Sequence, residues 1–121
     1  MLYIVSINVL MPLIATIGGV PLFPKVKNAE AVNPFTLAIT FDDGSSGLVD
    51  FRTLLSPDRE LENQLLQDAY LFSKFEVQQG TLVWPSHGRY LKNHKGKQCF
   101  YAFDIDPEIL YERAVLLAAH P

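Results

Sequence analysis

Thr36-Leu37-Ala38-Ile39-Thr40-Phe41-Asp42-Asp43-Gly44-Ser45-Ser46-Gly47-Leu48-Val49-Asp50-Phe51 decides the fold class of this chain. Its first six residues alternate, with Leu37, Ile39 and Phe41 on one face and Thr36, Ala38 and Thr40 on the other. A repeat of two is the pattern of a half-buried strand. Asp42-Asp43-Gly44 ends the strand in a turn, because glycine accepts the positive φ that tight reversals demand. Residues 48–51 are therefore expected to return antiparallel across Ser45-Ser46-Gly47.

Outward from this hairpin, residues 25–32 read as an extended segment before it. After it, Ser56 before Pro57 is a helix-start signature, and Leu61, Leu65, Ala69 and Phe72 recur at helical spacing. Residues 56–75 are thus expected to form a helix or helix pair with one face in the core. A second hairpin is expected where residues 75–77 meet 81–84 across Gln78-Gln79-Gly80. Asp106 is placed to cap a last helix over 107–118, with Pro107 at its first position. Leu110, Ala114 and Leu117 lie on its buried stripe, and Glu108 and Glu112 on its wet side. Strands mixed with helices in this order predict an α+β fold: a small antiparallel sheet from two β-hairpins with two or three helices packed on one face. Trp84 and Phe103 are expected to be buried in the shared core.

The chain has 121 residues, 49% of them hydrophobic and 19% charged, enough for one domain with its own core and too apolar for a disordered chain. A net charge of −3 excludes a surface that binds nucleic acid over its whole area. The single Cys99 excludes an internal disulfide framework and fits a reducing compartment.

Residues 1–24 carry no charge, and thirteen of the first seventeen are apolar. A secretory signal would place a basic residue before the apolar run, whereas Lys25 follows it. A spanning helix is interrupted by Asn8, Pro12, Thr16 and Gly18-Gly19. Tyr3-Ile4-Val5-Ser6-Ile7-Asn8-Val9 is rich in β-branched residues and reads equally as a packed strand. Packed segment, membrane-associated element through residues 1–17, and a start at Met11 all stay open. The domain reading is a leader over 1–23 and one α+β domain over 24–121 with an inserted loop at 86–101. The expected location is cytoplasmic, with membrane association the alternative.

The pairing of Thr81-Leu82-Val83-Trp84-Pro85 with Phe103-Asp104-Ile105-Asp106-Pro107-Glu108-Ile109-Leu110-Tyr111-Glu112 resembles the end of a small bacterial family, domain of unknown function 2442. Upstream, Pro24-Lys25-Val26, the hairpin through Asp42-Asp43-Gly44, Val49-Asp50-Phe51-Arg52-Thr53-Leu54-Leu55 and Asp68-Ala69-Tyr70-Leu71-Phe72 are similar to the family as well. The resemblance covers residues 24–113. Two features depart from it: the leader, and the insertion at 86–101, where the family has a short turn. The resemblance implies a small α+β domain. Some members are similar in genomic habit to components of toxin and antitoxin pairs, and others carry an added DNA-binding module, which is not expected here. It implies no catalytic residues.

Chemistry-bearing residues are few. Asp104 and Asp106 form an i, i+2 carboxylate pair that a metal-dependent enzyme would use, or else are a solvent-facing side chain and a helix cap. His87, His94 and Cys99 offer three zinc-ligand types at spacings that match no zinc knuckle, so no metal or other cofactor is expected. There is no phosphate loop, no His-Glu-x-x-His and no nucleophile elbow. The charge pattern says more. No acid lies between Glu76 and Asp104, whereas Arg89, Lys92, Lys95 and Lys97 lie in that gap with Tyr90, Phe100 and Tyr101. Residues 28–88 hold nine acids and three bases. Arg89, Tyr90, Lys92, Lys95 and Lys97 are therefore the candidate partner-binding residues. The expected function is a non-enzymatic protein-binding module, antitoxin-like or regulatory, with a partner encoded by an adjacent gene. A metal-dependent enzyme using Asp104 and Asp106, or weak nucleic-acid binding through 86–101, are the alternatives.

Overall fold

In the computed structural model, residues 16–17, 20–21 and 23–116 are described. They begin with two short antiparallel strands, β1 (Thr16–Ile17) and β2 (Val20–Pro21). The packed-strand reading of residues 3–9 and the start at Met11 lie outside the described residues, as do most of the span read as membrane-associated and Leu117. Among the described residues, no helix is long and apolar enough to cross a membrane.

The quoted stretch folds as a hairpin. β4 (Thr36–Phe41) pairs antiparallel with β5 (Ser46–Asp50), and Leu37, Ile39 and Phe41 are all fully buried. Gly44 takes φ 89°, and the Asp43 carboxylate accepts from the Ser45 amide at 2.9 Å, which fixes the turn. The return strand ends one residue earlier than expected. Asp50 caps a helix instead, accepting from the Arg52 amide at 3.0 Å, so Phe51 opens α1 (Phe51–Leu54). The extended segment before the hairpin is β3 (Val26–Asn33), which completes a sheet of order β3-β4-β5.

The helical stretch over 56–75 is broken. α2 (Glu60–Gln67) and α3 (Ala69–Phe72) are separated at Asp68, which leaves helical geometry at φ −141° and caps α3 through the Leu71 amide at 3.0 Å. Leu65 and Phe72 are buried as the spacing required, but the break turns Ala69 out to solvent. Ser56 starts no helix. Its amide donates to the Glu62 carboxylate at 2.7 Å and pins the segment ahead of α2.

β6 (Glu76–Gln78) turns into β7 (Thr81–Lys92) through Gln79 and Gly80, both at positive φ, the tight reversal whose twist suits a two-residue hairpin. β8 (Gln98–Ile105) completes the second antiparallel sheet, of order β6-β7-β8. The two hairpins of the sequence reading are thus two three-stranded sheets, and the fold is α+β. The sheets meet where the Val26 amide donates to the Gly80 carbonyl at 2.9 Å.

α4 (Pro107–Tyr111) follows with Pro107 at its start, then passes into a π-helical turn over Glu112–Leu116. Asp106 stands at the cap position, but its side chain makes no capping bond. Leu110 and Ala114 are buried, as expected. This last element lies against β5 because Gly47 has no side chain: a Cβ there would collide with the Ala114 carbonyl oxygen and stand 2.7 Å from its carbon. The two three-stranded sheets and helices α1 to α4 share one core, centred on Trp84, Phe51 and Phe72. Their rings stand 5.2 to 6.3 Å apart in tilted or edge-on pairs. The Trp84 indole donates to the Phe72 carbonyl at 2.8 Å, tying β7 to α3. Trp84 is fully buried, whereas Phe103 is only half-buried, packing against Trp84 from the sheet edge at 5.6 Å.

Candidate functional site

The inserted loop expected over 86–101 is strand along most of its length. It lies between the tryptophan strand and the Phe103 strand, as anticipated, but as a two-stranded antiparallel ribbon formed by the outer parts of β7 and β8. The register pairs Arg89 with Tyr101, Tyr90 with Phe100, Leu91 with Cys99 and Lys92 with Gln98. β6 pairs with β7 only as far as Val83, so beyond that point the ribbon has no third strand. The residues that signalled a loop by their charge are compatible with strand because both ribbon faces meet solvent, and no apolar alternation was needed to bury either.

Its base is fixed at three places. The register shifts between Trp84 and Gly88, where a Cβ on Gly88 would collide with the Tyr101 carbonyl oxygen, so glycine lets the two backbones close up again after the bulge. His87 is buried, and its Nε2–H donates to the Leu61 carbonyl at 2.8 Å. Arg89 reaches Glu60 at 3.2 Å, with both side chains about half exposed or more. A predicted partner-binding residue is thereby engaged within the chain, holding the ribbon against α2. Such an exposed pair contributes little stability, about 0 to 1 kcal/mol, so its effect is orientation.

The tip is ordered by Asn93. Its side-chain oxygen accepts from the amides of Lys95 at 2.9 Å and Lys97 at 3.0 Å, its own amide donates to the Lys97 carbonyl, and Gly96 takes φ 78°. Lys92, Lys95 and Lys97 all point to solvent, and none has an acidic partner among the described residues. Below them Tyr90 and Phe100 pack edge-on at 5.1 Å on one face, and Leu91 and Tyr101 lie on the other. All four remain substantially exposed, Tyr90 at 64%. The ribbon therefore joins the predicted Tyr90, Lys92, Lys95 and Lys97 to Leu91, which sequence reasoning missed. An isolated leucine in a polar run carries no signal until the strand exposes it.

Asp104 and Asp106 come together with residues that no spacing pointed to. Both are exposed and line a cleft of about 490 Å³ between the β8 end and the α1–α2 segment, with Arg59, Glu62, Leu55 and Ile109 among its other walls. The cleft is acidic on balance, three carboxylates against one guanidinium. Among the described residues, no three His, Cys, Asp or Glu side chains converge as metal ligands would. The zinc-type residues are dispersed: His87 is bonded to Leu61, His94 is exposed in the tip, and Cys99 lies beside Asn93.

Behind the first sheet Tyr111 donates to the Asp43 carboxylate at 3.0 Å and stands edge-on to Phe41 at 4.9 Å. Burial pushes its hydroxyl above the usual phenol value, and the Asp43 carboxylate adds to the rise.

The comparisons with curated proteins and with solved structures each give no match. A family model matches residues 26–115, close to the span over which the motifs resembled it and including both strands of the ribbon. The chain belongs to the family described as protein of unknown function (DUF2442).

Proposed function

We propose that this chain is a non-enzymatic protein-binding module whose β7–β8 ribbon contacts an acidic protein surface, acting as a regulatory or antitoxin-like subunit in the cytoplasm. The observation that carries the reading is the ribbon's composition: three lysines with no acidic partner among the described residues, at an ordered tip above four exposed apolar side chains. Aromatic rings with a basic rim are a composition that favours protein interfaces, the rings supplying buried area and the charges orientation and on-rate. The cluster is small for a nucleic-acid footprint, which favours protein over nucleic acid.

The test is co-expression of the full chain with the product of the adjacent gene, followed by affinity measurement for wild type and for Lys92→Gln/Lys95→Gln/Lys97→Gln. The complex is expected to form, to weaken from about 0.1 to 1 M salt as the Debye length shrinks from roughly 10 to 3 Å, and to lose most of that salt dependence in the variant. No complex overturns the adjacent-gene partner, and binding to an acidic protein that is indifferent to both salt and substitution overturns the ribbon as the contact surface.

A further inference from the structure

β8 differs from every other exposed edge of the two three-stranded sheets. β3 carries Lys27, Glu30 and two register irregularities; β5 has five residues and β6 three. The free outer part of β7 carries Pro85, a bulge, Arg89 and Lys92. These are the devices by which folded proteins discourage strand addition. β8 is eight residues long, Gln-Cys-Phe-Tyr-Ala-Phe-Asp-Ile, with no Lys, Arg, Pro or Gly, and it pairs only with β7 among the described residues. Its outer row of backbone donors and acceptors therefore invites another strand.

Charge says which strand. Lys95 and Lys97 lie just before β8, and Asp104 and Asp106 at its end, where they form the wall of the acidic cleft with Glu62. The strand is positive at one end and negative at the other. An antiparallel copy of itself reverses that order, so a two-fold near the midpoint Tyr101 sets each basic tip beside the other's acidic cleft, whereas a parallel copy would oppose like charges. A self-complementary patch of this kind is what an isologous dimer requires.

We infer that the partner of the ribbon is a second copy of this chain, paired antiparallel along β8, with residues 93–97 of each copy lying against the Asp104–Asp106 cleft of the other. The inference deepens the binding-module reading and rests on it, naming the acidic protein surface as the chain's own. β-Augmentation of this kind takes its affinity from main-chain hydrogen bonds and its specificity from the flanking side chains.

Sedimentation equilibrium of the full chain over a concentration series tests it. Wild type is expected to reach twice the 13.6 kDa chain mass. Lys95→Glu/Lys97→Glu sets acid against acid at both ends, and Asp104→Lys/Asp106→Lys sets base against base; each is expected to raise the dimer dissociation constant at least about tenfold. Mixing the two variants places opposite charges at both ends again and restores the dimer. Far-ultraviolet circular dichroism spectra that match wild type establish that both variants are folded, since loss of the dimer by itself lowers the melting temperature. A monomer at every concentration, or a mixture no tighter than its components, overturns the inference. If the chain alone is monomeric while Lys95 and Lys97 still govern binding to the adjacent-gene product, the second copy is refuted and the acidic-partner reading stands. If neither occurs, both fall.

Discussion

Trp84→Phe tests whether the ribbon is rooted through the core. The indole sits at 0% exposure among Phe51, Phe72 and Phe103, and its Nε1–H donates at 2.8 Å to the Phe72 carbonyl at the end of α3. Phenylalanine keeps an aromatic ring but removes the donor, leaving a buried carbonyl without this partner at a cost of about 1–3 kcal/mol. The smaller ring also leaves a void that the surrounding rings fill only in part, roughly 1 kcal/mol more. The expected loss is about 2–4 kcal/mol, a large part of the roughly 5–15 kcal/mol typical of a domain. It is to be read from urea unfolding followed by far-ultraviolet circular dichroism, since the variant has no tryptophan to report. Phe103→Leu is the control: that ring touches Trp84 from a half-exposed position, and a conservative apolar change there is expected to cost no more than about 1 kcal/mol. If the two variants lose equal stability, the indole hydrogen bond does not tie β7 to α3 and the core is not centred where we place it.

Gly47→Ala is expected to cost about 1–3 kcal/mol in thermal or urea melts, because its Cβ would meet the Ala114 backbone rather than a side chain free to turn away; a neutral result would show that the C-terminal turn does not rest on β5. The raised Tyr111 hydroxyl favours its neutral form in the folded state, so its contribution is whole below the unfolded value near 10 and declines as pH rises through the folded one. Tyr111→Phe should therefore be less stable than wild type by about 1 kcal/mol near neutrality and show a flatter alkaline limb; parallel limbs would refute the assignment. At concentrations below the dimer dissociation constant, Lys92→Gln/Lys95→Gln/Lys97→Gln should leave the melting temperature nearly unchanged, since in the single chain these side chains are exposed and have no acidic partner among the described residues; a clear drop there would mean that they hold the fold. Added Mg²⁺ or Zn²⁺ should produce no stabilisation that Asp104→Asn removes, whereas such a shift would revive the metal-dependent alternative.

Local signals in the chain determined a good deal: the alternation of Leu37, Ile39 and Phe41, the glycines of both turns, and the buried positions Leu65, Phe72, Leu110 and Ala114. These depend on periodicity and on allowed backbone angles, which neighbouring residues set between themselves. The basic cluster was legible for the same reason, as charge is countable without coordinates. What tertiary structure alone decided was where local preferences compete. Asp50 and Asp68 each chose to cap a helix, ending a strand early and splitting a helix in two. Residues 86–92 and 98–101 became strand because each had the other to bond to, a long-range pairing that neither segment announces. The cleft that gathers Arg59, Glu62 and Asp104, and the bare edge of β8, exist only once distant segments are packed, since unpaired backbone and shared surface are properties of the assembled sheet and not of any stretch of sequence.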